Sequence, residues 1–489
     1  MNAEALAGEE RERHEAAVAS PVAVLQIGEG NFLRGFFDWM IHVCRRKGLF
    51  AGGVAVTQPR PAGRPNLEKL AAQDGLYTLV IRGLESGVRV ERKETISVFS
   101  AIIDPYREWG RFLELAEGPE LRFVVSNTTE AGLVYRGEPL PEKEAVASFP
   151  GKMTLLLYRR YQAFGGDPDK GLLFLPCELL ERNGDRLREC VLRHAADWGL
   201  PEPFADWVRT HNRFLNTLVD RIVAGYPDDG QAEKWFGEWG YRDELLAACE
   251  PYHLWAIEAE PGLEQELPLR AAGLNVVWTG DLTPFQQRKV RILNGAHTLM
   301  APLGLLHGVE QVRELMEHPA LGAFVTGVVE DEIIPSLPYP APDMRAYAAT
   351  VFERYRNPFI RHRLADIAMN GISKARARLL PTMAYYAERG RPVPGGLCRG
   401  MAGLLRYYRV ERSGDGFRGR TLSGVPYEVR DEAGLLGAIA DTWAADRSLE
   451  ATVRALLAES VLWGRDLTEW QGFAEAVAGH MTELERIVP

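Results

Sequence analysis

The segment at residues 22–41 constrains the fold of this chain more than any other. Val22 to Gly28 has the composition of a short buried strand, and Phe36 to Ile41 has the apolar spacing of a helix. The turn between them contains Gly30 and Gly35. A strand, a glycine turn and a helix in this order favour dinucleotide binding, because glycines let the backbone approach a pyrophosphate. The third glycine comes two positions later than in the usual fingerprint, so an ordinary tight turn remains an alternative.

The pattern of predicted elements changes near residue 280. Before it, short buried strands alternate with helices, which is typical of an α/β domain with a parallel sheet. After it, strand signals nearly vanish, and amphipathic helices are separated by breaks rich in glycine and proline, for example at 413–426. A chain of 489 residues is also too long for one core. We therefore predict a Rossmann-like dinucleotide-binding α/β domain at 1–280, with one helix at about 203–223, and a mainly α-helical substrate domain at 281–489.

Composition argues against several classes of protein. The net charge of −10 disfavours a nucleic-acid partner, which would favour a basic patch. The five cysteines are scattered without a CxxC pair, which is typical of a reducing compartment and predicts no metal framework. No apolar run approaches the roughly 18 residues of a membrane helix, and the first 20 residues lack the apolar core of a secretory signal. We expect a cytoplasmic protein without a membrane partner.

A candidate catalytic face lies in the stretch from Lys289 to His297. On an α-helix each residue turns by about 100°, which would put Lys289, His297 and Asn294 near 0°, 80° and 140°. Nine lysines stand against 48 arginines, and Lys289 and Lys374 are the only lysines after residue 245. Unlike arginine, a buried lysine can release its proton, as general acid–base chemistry requires. This face could look across a cleft at the cofactor; a surface ion pair of the lysine is the alternative.

Two further strand ends carry polar residues where α/β sheets bind ligands. The strand at 122–126 runs into Asn127, Thr128 and Thr129, although the threonines could equally cap a helix. The strand at 54–57 is followed by Gln58, Pro59 and Arg60, with no acid to hold the adenosine ribose. Because Arg60 could face a 2′-phosphate, the choice between NAD and NADP stays open.

With these residues collected, the chain resembles the polyol-specific long-chain dehydrogenases, the mannitol dehydrogenase family. The family pattern of lysine, four residues, asparagine, two residues and histidine is matched by Lys289, Asn294 and His297. Other stretches that carry the resemblance are LQIGEGNFLRGFFDW (25–39), DGLYTLVIRG (74–83), FVVSNTTEAG (123–132), LPCELLERNG (175–184) and ISKARARLLP (372–381). Two of them, SNTTEAG and PCELLERNG, differ from mannitol dehydrogenases and point to a branch acting on hexuronate-derived ketones.

The resemblance implies a metal-independent, NAD-dependent hydride transfer between a ketouronate and an aldonate. Lys289 would be the general acid and base, Asn183 and Asn294 would polarise the carbonyl, and His297 would orient a substrate hydroxyl. Substrate-binding residues would be Asp220, Lys374 and His362. Cofactor contacts are predicted for the glycine turn and the end of the 122–126 strand: Gln26, Ile27, Gly28, Glu29, Gly30, Asn31, Phe32, Leu33, Arg34, Gly35, Asn127 and Thr128. Family members are often monomers, and a small homo-oligomer is the other possibility.

A substrate carboxylate would also favour an arginine clamp. Four arginines flank the helical stretches near Lys374, with His362 beside them: Arg361, Arg363, Arg376 and Arg378. For each of them a solvated helix face is the alternative. Other functions also remain open, namely a fructuronate-reducing or mannitol-type member of the same family, a non-catalytic NADH-binding regulator, and a helical scaffold.

Overall fold

The computed structural model describes residues 1–141, 143–414 and 416–486 and divides the chain into two compact units, Met1–Leu282 and Thr283–Pro489. The first unit contains a parallel sheet with helices between its strands, and the second is mainly helical. The predicted fold class, a Rossmann-like domain followed by a helical domain, is confirmed.

A six-stranded sheet organises the first unit, and all of its strand pairs are parallel. In spatial order its strands are β5 (Phe99–Ile103), β2 (Gly53–Thr57), β1 (Val22–Ile27), β6 (Phe123–Ser126), β7 (Leu173–Pro176) and β8 (Arg213–Phe214). The strands are short and largely apolar, as is usual where helices cover a parallel sheet. The strand order reverses at β1, and open α/β sheets bind ligands beyond the carboxyl ends of the strands at such a switch point.

Two smaller sheets complete the strands of this unit. One has the order β10, β11, β3, β4 and the other the order β13, β12, β9. Their bounds are β3 (Tyr77–Glu85), β4 (Val88–Ile96), β9 (Thr217–Asp220), β10 (Val223–Gly225), β11 (Ala247–Cys249), β12 (Leu254–Glu258) and β13 (Val276–Thr279). The α-helices are α1 (Gly8–Val18), α2 (Asn31–Gly35), α3 (Phe37–Arg46), α4 (Arg64–Ala72), α5 (Trp109–Glu114), α6 (Phe149–Phe164), α7 (Asn183–Asp197), α8 (Glu202–His211) and α9 (Asp229–Trp239).

The prediction of one helix at about 203–223 is wrong. Helix α8 ends at His211, and the chain continues as β8 and β9. Next to the helix end, the Asn212 side chain accepts the backbone N–H of Leu172 at 2.8 Å. Strand β9 then pairs antiparallel with β12. Pairing with a strand that is distant in the sequence overrides the local apolar pattern, because strand formation depends strongly on such neighbours.

The second unit is built on helices, two of which contain π-helical segments. The first π segment, Lys289–Asn294, joins α10 (Thr283–Arg288) to α11 (Gly295–Leu306), and the second, Val328–Ile333, follows α13 (Pro319–Gly327). The remaining helices are α12 (Val312–Glu317), α14 (Ala341–Tyr355), α15 (Leu364–Ala368), α16 (Gly371–Arg378), α17 (Leu380–Ala387), α18 (Gly395–Tyr407), α19 (Ala433–Ala444), α20 (Leu449–Ala458), α21 (Ser460–Trp463) and α22 (Phe473–Arg486).

Helix α11 forms the centre of this second unit. All of its residues except Leu305 are buried. It packs closely on α18, where a Cβ atom at Gly400 or Gly403 would collide with the side chains of Leu299 and Leu303. Two glycines on α18 thus let the helices approach, and the close contact fixes the position of the residues at the start of α11.

The break predicted at 413–426 contains structure that the sequence did not indicate. It forms most of a three-stranded antiparallel sheet made of β14 (Glu411–Ser413), β15 (Gly416–Arg420) and β16 (Pro426–Val429). Turn-forming residues in this segment connect short strands instead of marking a loop. Over residues 1–141, 143–414 and 416–486, no helix is both long enough and apolar enough to cross a membrane.

Candidate active site

The glycine turn lies at the carboxyl end of β1, at the switch point of the sheet. Gly28 has a φ of 129°, which side chains rarely allow, and its N–H donates to the Thr57 carbonyl at 2.8 Å. A Cβ atom on Gly28 would lie 2.9 Å from the carbonyl oxygen of Asn127. The turn is therefore held tightly between the ends of β2 and β6, and it needs glycine at this position.

The predicted cofactor residues in this turn fall into two groups. Gly30 and Asn31 are exposed and Phe32 is half-buried, and no heavy atom lies within 4 Å of a Cβ placed on Gly30. This open face at Gly30 and Asn31 leaves room for a ligand to approach the protein backbone. The other group is buried and supports the turn from inside the unit: Gln26, Ile27, Gly28, Glu29, Leu33, Arg34 and Gly35.

A buried polar network holds the turn from below. The Gln26 amide donates to the Gly28 carbonyl at 2.9 Å, and Arg34 donates to the Glu29 carbonyl at 3.2 Å. Asp38 accepts from Gln26 at 3.4 Å and from the Tyr77 hydroxyl at 3.3 Å. Burial raises the pKa of Asp38 to about 8. Because these side chains are committed to the turn, we infer that they shape the cofactor loop and do not contact the ligand.

On the other side of β1, one carboxylate joins two loops. Glu178, which follows β7, accepts the Ser126 hydroxyl at 3.0 Å and, from Thr128, the backbone N–H at 2.9 Å and the hydroxyl at 3.0 Å. Burial raises the pKa of Glu178. Thr128 is 2% exposed, so its side chain points inward to Glu178 and caps no helix. Asn127 is half-buried and donates to the Cys177 carbonyl at 2.9 Å. No pattern in the sequence indicates this role of Glu178.

An acid from the neighbouring strand lies beside the end of β2. Asp104 follows β5 and accepts from the Gln58 amide at 3.0 Å and from Arg64 at 2.9 Å. Gln58 is fully buried, whereas Arg60 is exposed. Pro59 and Arg60 line a small crevice together with Thr128 and Thr129, which brings the ends of β2 and β6 to one place.

Asn183, which was predicted to polarise the substrate carbonyl, lies in a dense hydrogen-bond network. Its side-chain N–H groups donate to the carbonyls of Pro176, Glu178 and Thr217 at 2.9, 3.0 and 3.1 Å. Its side-chain oxygen accepts the N–H groups of Gly184 and Thr217, both at 2.9 Å. At 1% exposure, Asn183 thus ties the connection after β7 and the start of β9 to the first turn of α7. Asp220 is also buried in the first unit, at the end of β9.

In the second unit, the two ends of the first π segment are Lys289 and Asn294, both half-buried. The angles expected for an α-helix do not apply here, because a π-helix bonds residue i to i+5 and its turns are wider. Lys289 and Asn294 are five residues apart, so they occupy successive turns of the segment. Single π turns within longer helices occur frequently at functional sites.

His297 lies on the first turn of α11 and is 8% exposed. Its ring packs against Tyr355, with 4.6 Å between centroids, and edge-on against His362, with 4.7 Å between centroids. Its Nε2 atom is buried, and no described residue gives it a hydrogen-bond partner. Burial, followed by electrostatic repulsion from the basic groups around it, holds the pKa of His297 well below its usual value. The imidazole is therefore neutral at physiological pH.

Cations from α14 and α16 surround this histidine. Arg354 is 7% exposed, Lys374 donates to the Ile367 carbonyl at 2.8 Å, and Arg378 donates to the Thr298 hydroxyl at 3.2 Å. Burial lowers the pKa of Lys374 and of Arg378. Arg361, Arg363 and Arg376 are exposed. The structure thus brings His362, Lys374 and Arg378 to His297. It also brings Tyr355 and Arg354 there, which no sequence pattern indicated.

A parallel sheet with a glycine turn at its switch point, and a helical unit that presents lysine, asparagine and histidine on one helix, define a Rossmann-type oxidoreductase. Comparison with protein families identifies the particular class. The model of the mannitol dehydrogenase Rossmann domain matches residues 22–271, and the model of the mannitol dehydrogenase C-terminal domain matches residues 281–485. The chain belongs to the mannitol dehydrogenase family and is a dehydrogenase that acts on CH–OH groups, as the resemblance implied.

Two curated relatives extend this finding over nearly the whole chain. The altronate oxidoreductase of Bacillus subtilis is 40% identical over 468 residues, which cover 96% of this chain and 93% of the relative. The altronate oxidoreductase of Halalkalibacterium halodurans is 41% identical over 463 residues, which cover 94% of this chain and 90% of the relative.

Two solved structures share the fold. The mannitol 2-dehydrogenase of Pseudomonas fluorescens, solved as a ternary complex with NAD and D-mannitol, has a TM-score of 0.67 at 23% identity and covers 95% of this chain and 92% of its own. A substrate-free D-sorbitol dehydrogenase has a TM-score of 0.77 at 21% identity and covers 96% of this chain and 95% of its own.

Proposed function

We propose that the protein is an NAD-dependent oxidoreductase that interconverts D-tagaturonate and D-altronate, with a lysine as general acid and base and without a metal. The observation that carries the proposal is the set of Lys289, Asn294 and His297 on the π segment and the first turn of α11. The altronate oxidoreductases that match nearly the whole chain support the choice of substrate. The glycine turn supports the cofactor, because the open face at Gly30 allows the close approach that a pyrophosphate needs.

In the proposed reaction, two side chains stabilise the charge that develops on the substrate oxygen, and a third orients the substrate. NADH held at the glycine turn would supply a hydride to the carbonyl carbon. The Asn294 amide donates a hydrogen bond to the oxygen, and the Lys289 ammonium stabilises its negative charge and then donates a proton to it. Neutral His297 offers its unpartnered Nε2 atom, as a donor or an acceptor according to the tautomer, to a neighbouring hydroxyl of the substrate. In the oxidation of D-altronate, Lys289 takes the proton back.

Replacement of the lysine tests the proposed mechanism. Lys289→Ala removes the proton donor, and loss of a general acid lowers turnover by about 10²- to 10⁴-fold. We expect this loss in kcat for D-tagaturonate while NADH binding, followed by fluorescence, stays close to that of the unmodified protein. Lys234→Ala, at an exposed lysine of α9, is the matched control and should keep normal turnover. Near-normal turnover of Lys289→Ala would refute the assignment of Lys289.

A substrate panel tests the rest of the proposal. Consumption of NADH and NADPH is measured with D-tagaturonate, D-fructuronate and D-fructose side by side. Preference for D-tagaturonate with NADH supports the proposal. Preference for D-fructuronate or D-fructose would mean that D-tagaturonate is the wrong substrate. Preference for NADPH would give Arg60 a role in cofactor choice. Turnover of none of these compounds would favour a non-catalytic NADH-binding regulator.

A further inference from the structure

The cations around His297 differ in how they are used. Lys374 and Arg378 are four residues apart on α16, so their side chains lie on the same face of that helix. Lys374 donates to a backbone carbonyl and Arg378 to the Thr298 hydroxyl. Among the described residues, Arg378 has no carboxylate within ion-pair distance. A half-buried guanidinium held only by a neutral hydroxyl keeps most of its five donors for another partner.

The backbone places Arg378 next to the proposed catalytic face. A Cβ atom on Gly295, the first residue of α11, would lie 3.6 Å from the Arg378 carbonyl oxygen. Thr298, which accepts from Arg378, donates in turn to the Asn294 carbonyl at 3.0 Å. Asn294 is thus linked to the guanidinium through one hydroxyl. His297, with its buried and unpartnered Nε2 atom, lies between Asn294 and Thr298 in the chain.

We propose that Arg378, assisted by Lys374, binds the carboxylate of the substrate and so selects uronates over neutral ketoses. The inference rests on the proposed function and adds the residue that determines its specificity. The planar guanidinium can donate two parallel hydrogen bonds to a carboxylate, a geometry that an ammonium cannot reproduce. A carboxylate would also compensate the positive charge that Lys374 and Arg378 place near His297.

The other candidate cations fit this role less well. Arg361, Arg363 and Arg376 are exposed to solvent, which weakens any charge interaction that they make. His362 packs against His297, and burial lowers its pKa, so it stays neutral at physiological pH and adds no charge for an anion. Arg376 is two residues from Arg378 on the same helix and lies against Gly464. It is therefore a suitable control.

The test compares two substrates that differ only in the charged group. D-Tagatose has a hydroxymethyl group where D-tagaturonate has the carboxylate. In Arg378→Met we expect kcat/KM for D-tagaturonate to fall by about 10- to 100-fold, the usual range for loss of a charged hydrogen bond, and kcat/KM for D-tagatose to change by less than about threefold. Arg378→Lys keeps the positive charge but cannot donate two parallel hydrogen bonds, so it should lose part of this selectivity. Arg376→Met should leave both substrates unaffected.

Failure of this inference can be told from failure of the proposed function. Equal losses on both substrates, or no loss on either, would overturn the role of Arg378 while D-tagaturonate reduction stands. If the unmodified protein reduces neither substrate, the proposed function fails, and calorimetric titration with D-altronate then decides the inference. If the unmodified protein binds D-altronate and Arg378→Met does not, the carboxylate site is upheld. If the unmodified protein does not bind D-altronate, or if both proteins bind it equally, the carboxylate site is overturned. Thermal melting of each variant shows that it is folded; if Arg378→Met does not fold, Arg378→Lys carries the comparison.

Discussion

At the scale of the residue, burial decides what His297 can do. Its pKa lies well below the usual value because the ring is buried among cations, so it does not take up a second ring proton in the neutral pH range. A neutral imidazole can orient a hydroxyl through Nε2, as a donor or an acceptor, but it is a poor source of the proton that ketone reduction consumes. Lys289 is therefore the acid in the proposed reaction, whereas His297 orients the substrate.

The hydrogen bonds of Asn183 predict a clear loss of stability when this side chain is removed. Replacement by alanine leaves several buried backbone groups without a partner, and each costs roughly 1–3 kcal/mol. We expect Asn183→Ala to lower the free energy of unfolding by at least about 2 kcal/mol in urea titrations. Asn275→Ala, at an exposed asparagine of the same unit whose side chain donates to the His253 carbonyl, is the control and should cost no more than about 1 kcal/mol. Unchanged stability of Asn183→Ala would contradict the role described above.

Single residues also show why only part of the site could be predicted. Lys289, Asn294 and His297 occur within nine residues, so their spacing is visible in the sequence. Asn183 is different, because two of its partners belong to Thr217, and no local pattern connects the two positions. Glu178, Tyr355 and Arg354 were missed for the same reason, since their contacts with the sites arise only when separate elements pack together.

At the scale of the element, the π segment sets the direction of Lys289 relative to α11. Deletion of Val290 removes one residue and would favour ordinary α-helical bonding, which turns Lys289 by about 100° relative to His297. We expect the deletion variant to retain cooperative melting, because α11 is held by its packing on α18, but to lose turnover with D-tagaturonate. Val290→Ala keeps the length of the segment and should keep turnover. An active deletion variant would show that the π geometry is dispensable.

Sequence patterns predicted the existence of elements better than their kind. The apolar spacing around Ile292 and Leu293 indicates a helix, but it cannot distinguish bonding to i+5 from bonding to i+4. In the same way, the apolar residues of β9 suit a helix face as well as a strand, and β12 decides between them. The sheet of β14, β15 and β16 was missed because its turn residues dominate the composition.

At the scale of the whole molecule, the network under the glycine turn makes stability depend on pH. Burial raises the pKa of Asp38 from 3.8 to about 8, so the folded state binds more protons than the unfolded state between these values. The contribution of Asp38 to stability is therefore present at low pH and is lost as the pH rises through this range. Asp38→Asn cannot ionise and keeps an acceptor for Gln26 and Tyr77.

We accordingly expect the stability of Asp38→Asn, relative to the unmodified protein, to increase steadily from about pH 5 to about pH 8. Urea unfolding of both proteins at several pH values in this range measures the difference between their free energies of unfolding. Because the other titrating groups are the same in both proteins, their effects cancel in this difference. A difference that is constant with pH would mean that Asp38 keeps an ordinary pKa in the folded protein.

The overall division into a parallel α/β unit and a helical unit could be predicted because it rests on patterns that extend over many residues. Alternating strands and helices before residue 280 leave few other arrangements, and the reversal of strand order at β1 then fixes which strand ends meet. The details of those meeting points, such as Asp104 beside Gln58, depend on which strands become neighbours, and no short motif records this.

The shared carboxylate of Glu178 has a consequence for how such proteins diversify. Ser126 ends β6 and Thr128 follows it, whereas Glu178 follows β7, and a change on either side alone would leave the buried acid or its donors without a partner. We therefore expect these two loops to change together. In a chimaera between family members, transfer of one loop alone would break these hydrogen bonds and destabilise the protein. Transfer of both loops together would keep the hydrogen bonds.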